Sequence, residues 1–312
     1  MAFTAKDVRT LREMTGVGMM DCKKALTASD GDMDKAVAYL REKGLAAAQK
    51  KAGRIAAEGV VAAIVTEAGV GAIVEVNSET DFVAKNKDFQ KFVYDVAGAV
   101  AQSAPADMDA LLALPYPGSD KTIQGILQEK VLVIGENIKI RRFARYGGGV
   151  TVAYVHMGGK IGVLVNMEIS DNLKGSKGVT VLGKDIAMQI AAMRPLYLDP
   201  SEVPGGDLEK EKEIQFAKAL EENKEKQIPE EKAHKIAENM VKGRINKFYE
   251  ETCLLNQPFV KENKVSVAKH VEATAKELGG AIAVRSFIRF EKGEGLEKKA
   301  DNFAEEVASM TK

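Results

Sequence analysis

Ser78-Glu79-Thr80-Asp81-Phe82-Val83-Ala84-Lys85-Asn86 joins two segments whose side-chain periods differ. Before it, Gly71-Ala-Ile-Val-Glu-Val-Asn77 reads as a strand, rich in β-branched residues with one charge in the middle. After it, Phe89, Phe92, Val93, Val96, Ala97 and Val100 recur at helical spacing and form one apolar stripe. The polar loop therefore leaves a strand and enters a packed helix, so both its ends are held. Phe82 stands in its middle, and two readings of that ring are open. It can fold back on Phe89 or Val93 as a hydrophobic staple. Alternatively it is a wedge presented to a partner, with Asp81 accepting hydrogen bonds from that partner's backbone.

The strand before the loop is half of a pair that occurs twice. Gly59-Val-Val-Ala-Ala-Ile-Val65, a turn at Gly69 and Ala72–Asn77 make one pair. Gly149-Val-Thr-Val-Ala-Tyr-Val155, a turn at Gly158-Gly159 and Ile161-Gly-Val-Leu-Val-Asn166 make the other. An amphipathic helix follows each, over 88–102 and 184–193. Copies about ninety residues apart predict two related α+β subdomains, each an antiparallel sheet with helices, over 59–147 and 148–291. The second copy has no Asp-Phe loop; its polar stretch, 170–178, is longer and Gly-rich. The first also holds a helix over 120–134 and a short strand around Ile138 and Ile140, while 103–118, with Pro105, Pro115 and Pro117, reads as surface loop.

Two strongly charged helices, 207–226 and 230–251, flank Gln227-Ile228-Pro229. Their narrow stripes (Leu208, Ala217 and Leu220; Ile236, Met240, Ile245 and Phe248) are buried only by pairing, which predicts an antiparallel hairpin inserted at about 206–251. A helix over 266–278 and a strand over 281–290 close the second subdomain. A last helical module, 292–312, carries Phe303, Val307 and Met310 on one face.

At the other end, Thr4 and Asp7 form a capping-box pattern before a helix with Val8 and Leu11. Helices over 19–28 and around Met33–Leu40 complete a three-helix module, 1–44. A helical linker, 45–58, follows. Its Lys50, Lys51 and Arg54 read as the solvated face of a helix rather than an RNA patch.

Composition narrows the function. Lys+Arg and Asp+Glu are both 45 in 312 residues, so no basic excess favours nucleic acid. Cys22 and Cys253 are far apart without neighbouring ligands, which suits a reducing cytoplasm and indicates neither disulfide nor zinc site. No apolar run reaches membrane-spanning length and no targeting segment is evident, so the expected location is cytoplasmic. His156, His234 and His270 have no triad or metal-site spacing. Gly178-Val-Thr-Val-Leu-Gly-Lys184 imitates a phosphate loop, but Asp185 stands where a hydroxyl is required. The expectation is a protein that is not an enzyme, with no cofactor, metal or small-molecule substrate.

Four blocks in order carry a resemblance to the elongation factor Ts family: Leu11-Arg-Glu-Met-Thr-Gly-Val-Gly-Met-Met-Asp-Cys-Lys-Lys-Ala-Leu26, Thr80-Asp-Phe-Val-Ala-Lys85, Ile134-Gly-Glu-Asn-Ile-Lys-Ile-Arg-Arg142 and Phe287-Ile-Arg-Phe-Glu-Lys-Gly-Glu-Gly295. The resemblance implies an N-terminal domain of ubiquitin-associated type and guanine-nucleotide exchange on elongation factor Tu. It implies that Thr80, Asp81, Phe82 and Val83 dislocate the Mg²⁺ of that GTPase, with Ile134, Gly135 and His156 in the same contact zone. It further implies that Arg12, Met19, Met20 and Lys23 dock the N-terminal module on Tu, and that the second subdomain, with Met240 and Val241, holds another domain of it. Tu is then the partner, with no direct nucleic acid and no membrane. A noncatalytic RNA- or ribosome-binding scaffold is the alternative from a different class.

Overall fold

The computed structural model describes residues 3–297. The helix expected around Phe303, Val307 and Met310 lies outside them. Helix α1 (Ala5–Thr15) begins with the predicted box: the Asp7 N–H donates to the Thr4 hydroxyl oxygen, and the Asp7 carboxylate accepts from the Thr4 N–H at 2.7 Å. It ends on Gly16 at φ 68, where a side chain would be strained. Helices α2 (Met19–Ala28) and α3 (Met33–Lys51) close a small core of Val8, Leu11, Val17, Cys22, Ala25, Leu26, Ala36 and Leu40. The linker helix expected over 45–58 is not a separate element. Helix α3 runs through Gly44 to Lys51, and 52–57 is not helical. Gly44 lies inside that helix and faces the later segment that holds Gln128: a Cβ there would lie 3.4 Å from the carbonyl oxygen of Gln128, an ordinary contact distance.

Strands β1 (Glu58–Val65) and β2 (Gly71–Ser78) pair antiparallel, Val60 opposite Val76 and Ala62 opposite Val74. Then come α4 (Asp81–Lys85), α5 (Lys87–Ser103), α6 (Met108–Ala113) and α7 (Ile123–Ile134). All six residues of the predicted α5 stripe are buried, in one cluster with Val60, Val74 and Val76 of the sheet. At about 1.5–3 kcal/mol for each large apolar side chain removed from water, this stripe is the main anchor of α5. One expectation is corrected by the structure and another is extended. The segment read as loop over 103–118 contains α6, because Asp107 caps it by accepting the Ala110 N–H at 2.8 Å and Leu111 is fully buried. The strand glimpsed at Ile138 and Ile140 is β3 (Lys139–Tyr146), which pairs antiparallel with β2, giving the order β1-β2-β3.

The second strand pair is likewise followed by a long helix. Strands β4 (Val150–His156) and β5 (Ile161–Ile169) precede α8 (Lys177–Met193), which like α5 has seventeen residues and ends on a non-glycine residue in the left-handed region, Arg194 as against Ala104. Helix α8 begins earlier than expected, within the Gly-rich stretch read as loop. The phosphate-loop imitation is therefore helical, and its Gly183 is a contact point: a Cβ would meet Val152 Cγ2 at 2.5 Å. Helices α9 (Gly205–Glu225) and α10 (Glu230–Thr252) form the hairpin. Strands β6 (Pro258–Phe259) and β7 (Glu262–Ser266) make a small ribbon that the sequence reading missed. Helix α11 (Val267–Glu277) and strand β8 (Ile282–Glu291) follow, and the second sheet has the order β4-β5-β8. The protein is thus of mixed α+β class with small sheets. Among the described residues no helix is long and apolar enough to cross a membrane.

By packing the described chain divides into two compact units. One contains 3–146, 155–162 and 290–297; the other contains 147–154 and 163–289. The tip of the β4–β5 hairpin and the end of β8 therefore belong with the β1-β2-β3 sheet.

The seam of the α9–α10 hairpin differs from the predicted stripes. Of the predicted residues Ile245 is buried, but Ala217 and Ile236 are exposed, and the seam is completed by Ala219, Ala233 and Ala237 with Asn223. Small side chains let the helices approach closely. Asn223, 1% exposed, is tolerated because its amide donates to the Ala233 carbonyl at 2.8 Å.

Candidate functional site

The loop between β2 and α5 is not irregular: residues 81–85 form one helical turn, α4. Thr80 is its N-cap, and its hydroxyl oxygen accepts the Val83 N–H. Asn86 caps the next helix by accepting from the N–H groups of Asp88 and Phe89. Two caps this close in the chain make a short helix that turns sharply into a long one. Val83 faces inward against the sheet cluster, and Ala84 is buried in it. Phe82, on the opposite side of that turn, is 81% exposed. The staple reading of Phe82 is therefore overturned, since the ring is not packed on Phe89 or Val93.

Asp81 is partly exposed and accepts from Lys85 Nζ at 2.6 Å, an i,i+4 ion pair. That hydrogen bond holds the Asp81 carboxyl below its ordinary range against the opposing effect of burial, and it raises the Lys85 ammonium. Asp81 thus stays an anion with one oxygen, Oδ1, outside the Lys85 contact. An oxygen of that kind accepts a hydrogen bond from an approaching backbone.

The base of the turn is tied to the end of α7. Glu136 Oε2 accepts from the N–H groups of Glu79 and Thr80, each at 3.0 Å, and Glu136 Oε1 accepts from the Thr80 hydroxyl at 2.6 Å. In return, Glu79 Oε1 accepts from the Asn137 N–H at 2.6 Å. The structure thereby brings Ile134 and Gly135 next to the Asp-Phe turn. Ile134 packs on the sheet cluster, and Gly135 caps α7 at φ 84. A cleft of about 380 Å³ runs along this face, lined by Thr15, Gly16, Asn86, Asp88, Val133 and Ile134 among others. It places the α1–α2 turn beside the start of α5.

Arg12, Met19, Met20 and Lys23 are all exposed, on the last turn of α1 and the first turns of α2. Met14 and Val133 are also exposed apolar side chains of this unit, and the sequence reading did not single them out. His156 ends β4, partly exposed, in the same compact unit. Met240 and Val241 are partly buried on α10, in the other unit. Val241 lines a groove of about 670 Å³ with Phe216 and Ile245.

Glu79, Glu136 and Asn137 went unassigned in the sequence reading although Glu136 and Asn137 lie inside a quoted motif and Glu79 directly precedes another. The signal was the pairing of two Glu-containing turns, one before a helix N-terminus and one after a helix C-terminus. Among the described residues no group of three or more His, Cys, Asp or Glu is placed to hold a metal ion.

The sequence pattern of the family described as Elongation factor TS matches residues 79–294. The chain is 50% identical over 315 residues to the Elongation factor Ts of Syntrophotalea carbinolica, covering 100% of each chain. It is 51% identical to that of Clostridium perfringens strain ATCC 13124 over 98% of each, and 50% identical to that of Trichlorobacter lovleyi over 99% of this chain and 98% of the relative.

Proposed function

The chain belongs to the elongation factor Ts family, and on that footing we propose that it promotes release of GDP from elongation factor Tu by disturbing the Mg²⁺ and phosphate site. A GTPase holds GDP through phosphate contacts and a Mg²⁺ that bridges protein and nucleotide. A protein that binds the nucleotide-free form better lowers GDP affinity by the same factor by which GDP lowers its own. It needs rigidly presented contacts and no catalytic group. In this reading Asp81 and Phe82 enter the GTPase domain beside the Mg²⁺ site. Phe82 wedges between side chains there, while Ile134, Gly135 and His156 line the same contact. Arg12, Met19, Met20 and Lys23 dock the N-terminal helices on that domain, and Met240 and Val241 touch another domain of Tu.

The observation that carries this reading is Phe82 itself. At 81%, Phe82 is the most exposed large apolar side chain among the described residues, and it stands on a doubly capped turn, which supports its burial in a partner. Calorimetric titration of Tu tests it. Affinity should fall as GDP and Mg²⁺ are raised together and return when both are removed. Affinity that ignores the nucleotide would leave a binding partner and not an exchange factor.

A further inference from the structure

We propose that Glu136 is a positioning residue for exchange: its carboxylate, acting through the Thr80 hydroxyl and two backbone N–H groups, sets the direction in which Phe82 is presented. The inference rests on the reading of Phe82 just given and adds a residue that touches no partner in it.

Phe82 is 81% exposed, so little packing is left to orient it. Its direction is therefore set by the backbone of α4. Five residues are too few to hold a helix by themselves, because nucleation is unfavourable and one turn forms few bonds. Something outside the turn must hold it. Val83 and Ala84 supply packing from below. The polar restraint comes from Glu136, which gathers three donors from two consecutive residues: the Glu79 N–H, the Thr80 N–H and the Thr80 hydroxyl.

The hydroxyl bond matters most. Thr80 Oγ1 has one hydrogen and two lone pairs. With its hydrogen committed to Glu136 Oε1 at 2.6 Å, a lone pair is left for the Val83 N–H, which donates to it at 3.5 Å. That cap bond is long by itself, so the charged acceptor behind the hydroxyl decides its orientation. The Ser78 hydroxyl adds a bond to the Thr80 carbonyl at 3.0 Å.

Glu136 is itself fixed. It follows Gly135, whose left-handed conformation ends α7, and it precedes Asn137, which is buried. Asn137 donates its N–H to Glu79 and its amide to the carbonyls of Ala52 and Arg54, the latter at 2.8 Å. Arg54 Nη1 lies 3.4 Å from Glu79 Oε1. The two segments thus clasp each other, each glutamate accepting from the backbone of the opposite segment. A residue whose only task was to end α7 would need none of these bonds.

The test uses the full chain and Glu136→Ala beside the isosteric Glu136→Gln, which keeps one acceptor oxygen. Three measurements are made: amide hydrogen exchange at Glu79 and Thr80, the dependence of GDP release from Tu on factor concentration, and thermal melting. The chain has no Trp, so Phe82→Trp in each background gives a single indole fluorophore whose anisotropy reports the motion of that position. Glu136→Ala should unprotect the two amides and lower the anisotropy of that indole. Maximal release at saturating factor should fall about tenfold or more, as loss of bonds to a charged acceptor implies. The half-saturating concentration should change less, since the other contacts remain. Glu136→Gln should fall between. Wild-type amide protection and wild-type maximal release in Glu136→Ala would overturn the proposal, as would a global loss of folding in Glu136→Gln. If the natural chain itself releases no GDP, the exchange reading fails, while protection and anisotropy still decide whether Glu136 sets the turn.

Discussion

Phe82 separates two physical roles by where its ring spends the free state. Because it is mostly exposed, Phe82→Ala removes little packed surface and the melting temperature should stay near that of the natural chain. Exchange should nevertheless fall steeply, since a buried aromatic anchor at an interface is worth roughly 2–4 kcal/mol. At about 1.4 kcal/mol per tenfold, GDP release should slow by roughly 30- to 1000-fold. Stopped-flow release of a fluorescent GDP analogue, run beside a melt, checks both halves. Near-normal release would remove the wedge from the mechanism. The motif at 80–85 was legible as a loop carrying an exposed or folded-back ring, but local sequence alone left both choices open. Which one holds depends on whether the turn before α5 leaves room over Phe89 and Val93, and these are fully buried by other groups.

Among the elements, the α9–α10 hairpin is the one whose removal should matter least to the turn. Its ends are drawn together at its own base, where the Thr252 carbonyl accepts from the N–H groups of Leu196 and Tyr197. Its interior is satisfied by its own seam and by the Arg244–Glu222 ion pair at 2.7 Å. Replacing 206–250 with a short Gly/Ser linker keeps that base and should leave maximal GDP release unchanged. Only the half-saturating concentration should rise, through loss of Met240 and Val241. Maximal release that vanished while circular dichroism showed the remainder folded would assign the hairpin to the exchange step itself. The existence of both helices was legible from their charge and period. Of their seam only Ile245 was, because Ala219, Ala233 and Ala237 pack by being small and carry a weak hydrophobic signal.

Across the molecule, the first unit is closed by a charge that the sequence shows as a lone interruption of a strand. Glu75 is fully buried on β2 and takes Arg142 Nε at 2.6 Å, Arg141 Nη1 at 3.1 Å and the Gly293 N–H at 2.8 Å. Arg142 also lies over the Phe290 ring, 4.2 Å from its centre, and Lys292 pairs with Glu58. The end of β8 is thereby held to the first sheet across more than two hundred positions of chain. Glu75→Gln leaves two arginines short of their counter-charge. Its cost should be about 2–4 kcal/mol, less than for a fully buried pair because both guanidinium groups keep some contact with water. Urea unfolding read by circular dichroism should show the first transition move to lower concentration. A midpoint that did not move would mean that the segment after β8 is held by something other than Glu75.

Much was settled by local rules. The capping box at Thr4, the α5 stripe, the two glycine-turned strand pairs and the end of α7 at Gly135 each follow from residues within a few positions of one another, where steric and hydrogen-bond preferences act directly. The four motifs likewise identified the family without any fold. What needed the tertiary structure were features made by residues far apart in the chain. The contact of α3 with the Gln128 backbone joins segments far apart in the chain, and the third strand of each sheet, legible as a strand, finds its partner only after one or more helices. The clasp between 79–80 and 136–137 and the burial of Glu75 exist only once those segments meet. A carboxylate in a strand or a turn has no intrinsic role. Its role is set by which donors folding brings within about 3 Å of it, and no local pattern in the sequence encodes that distance.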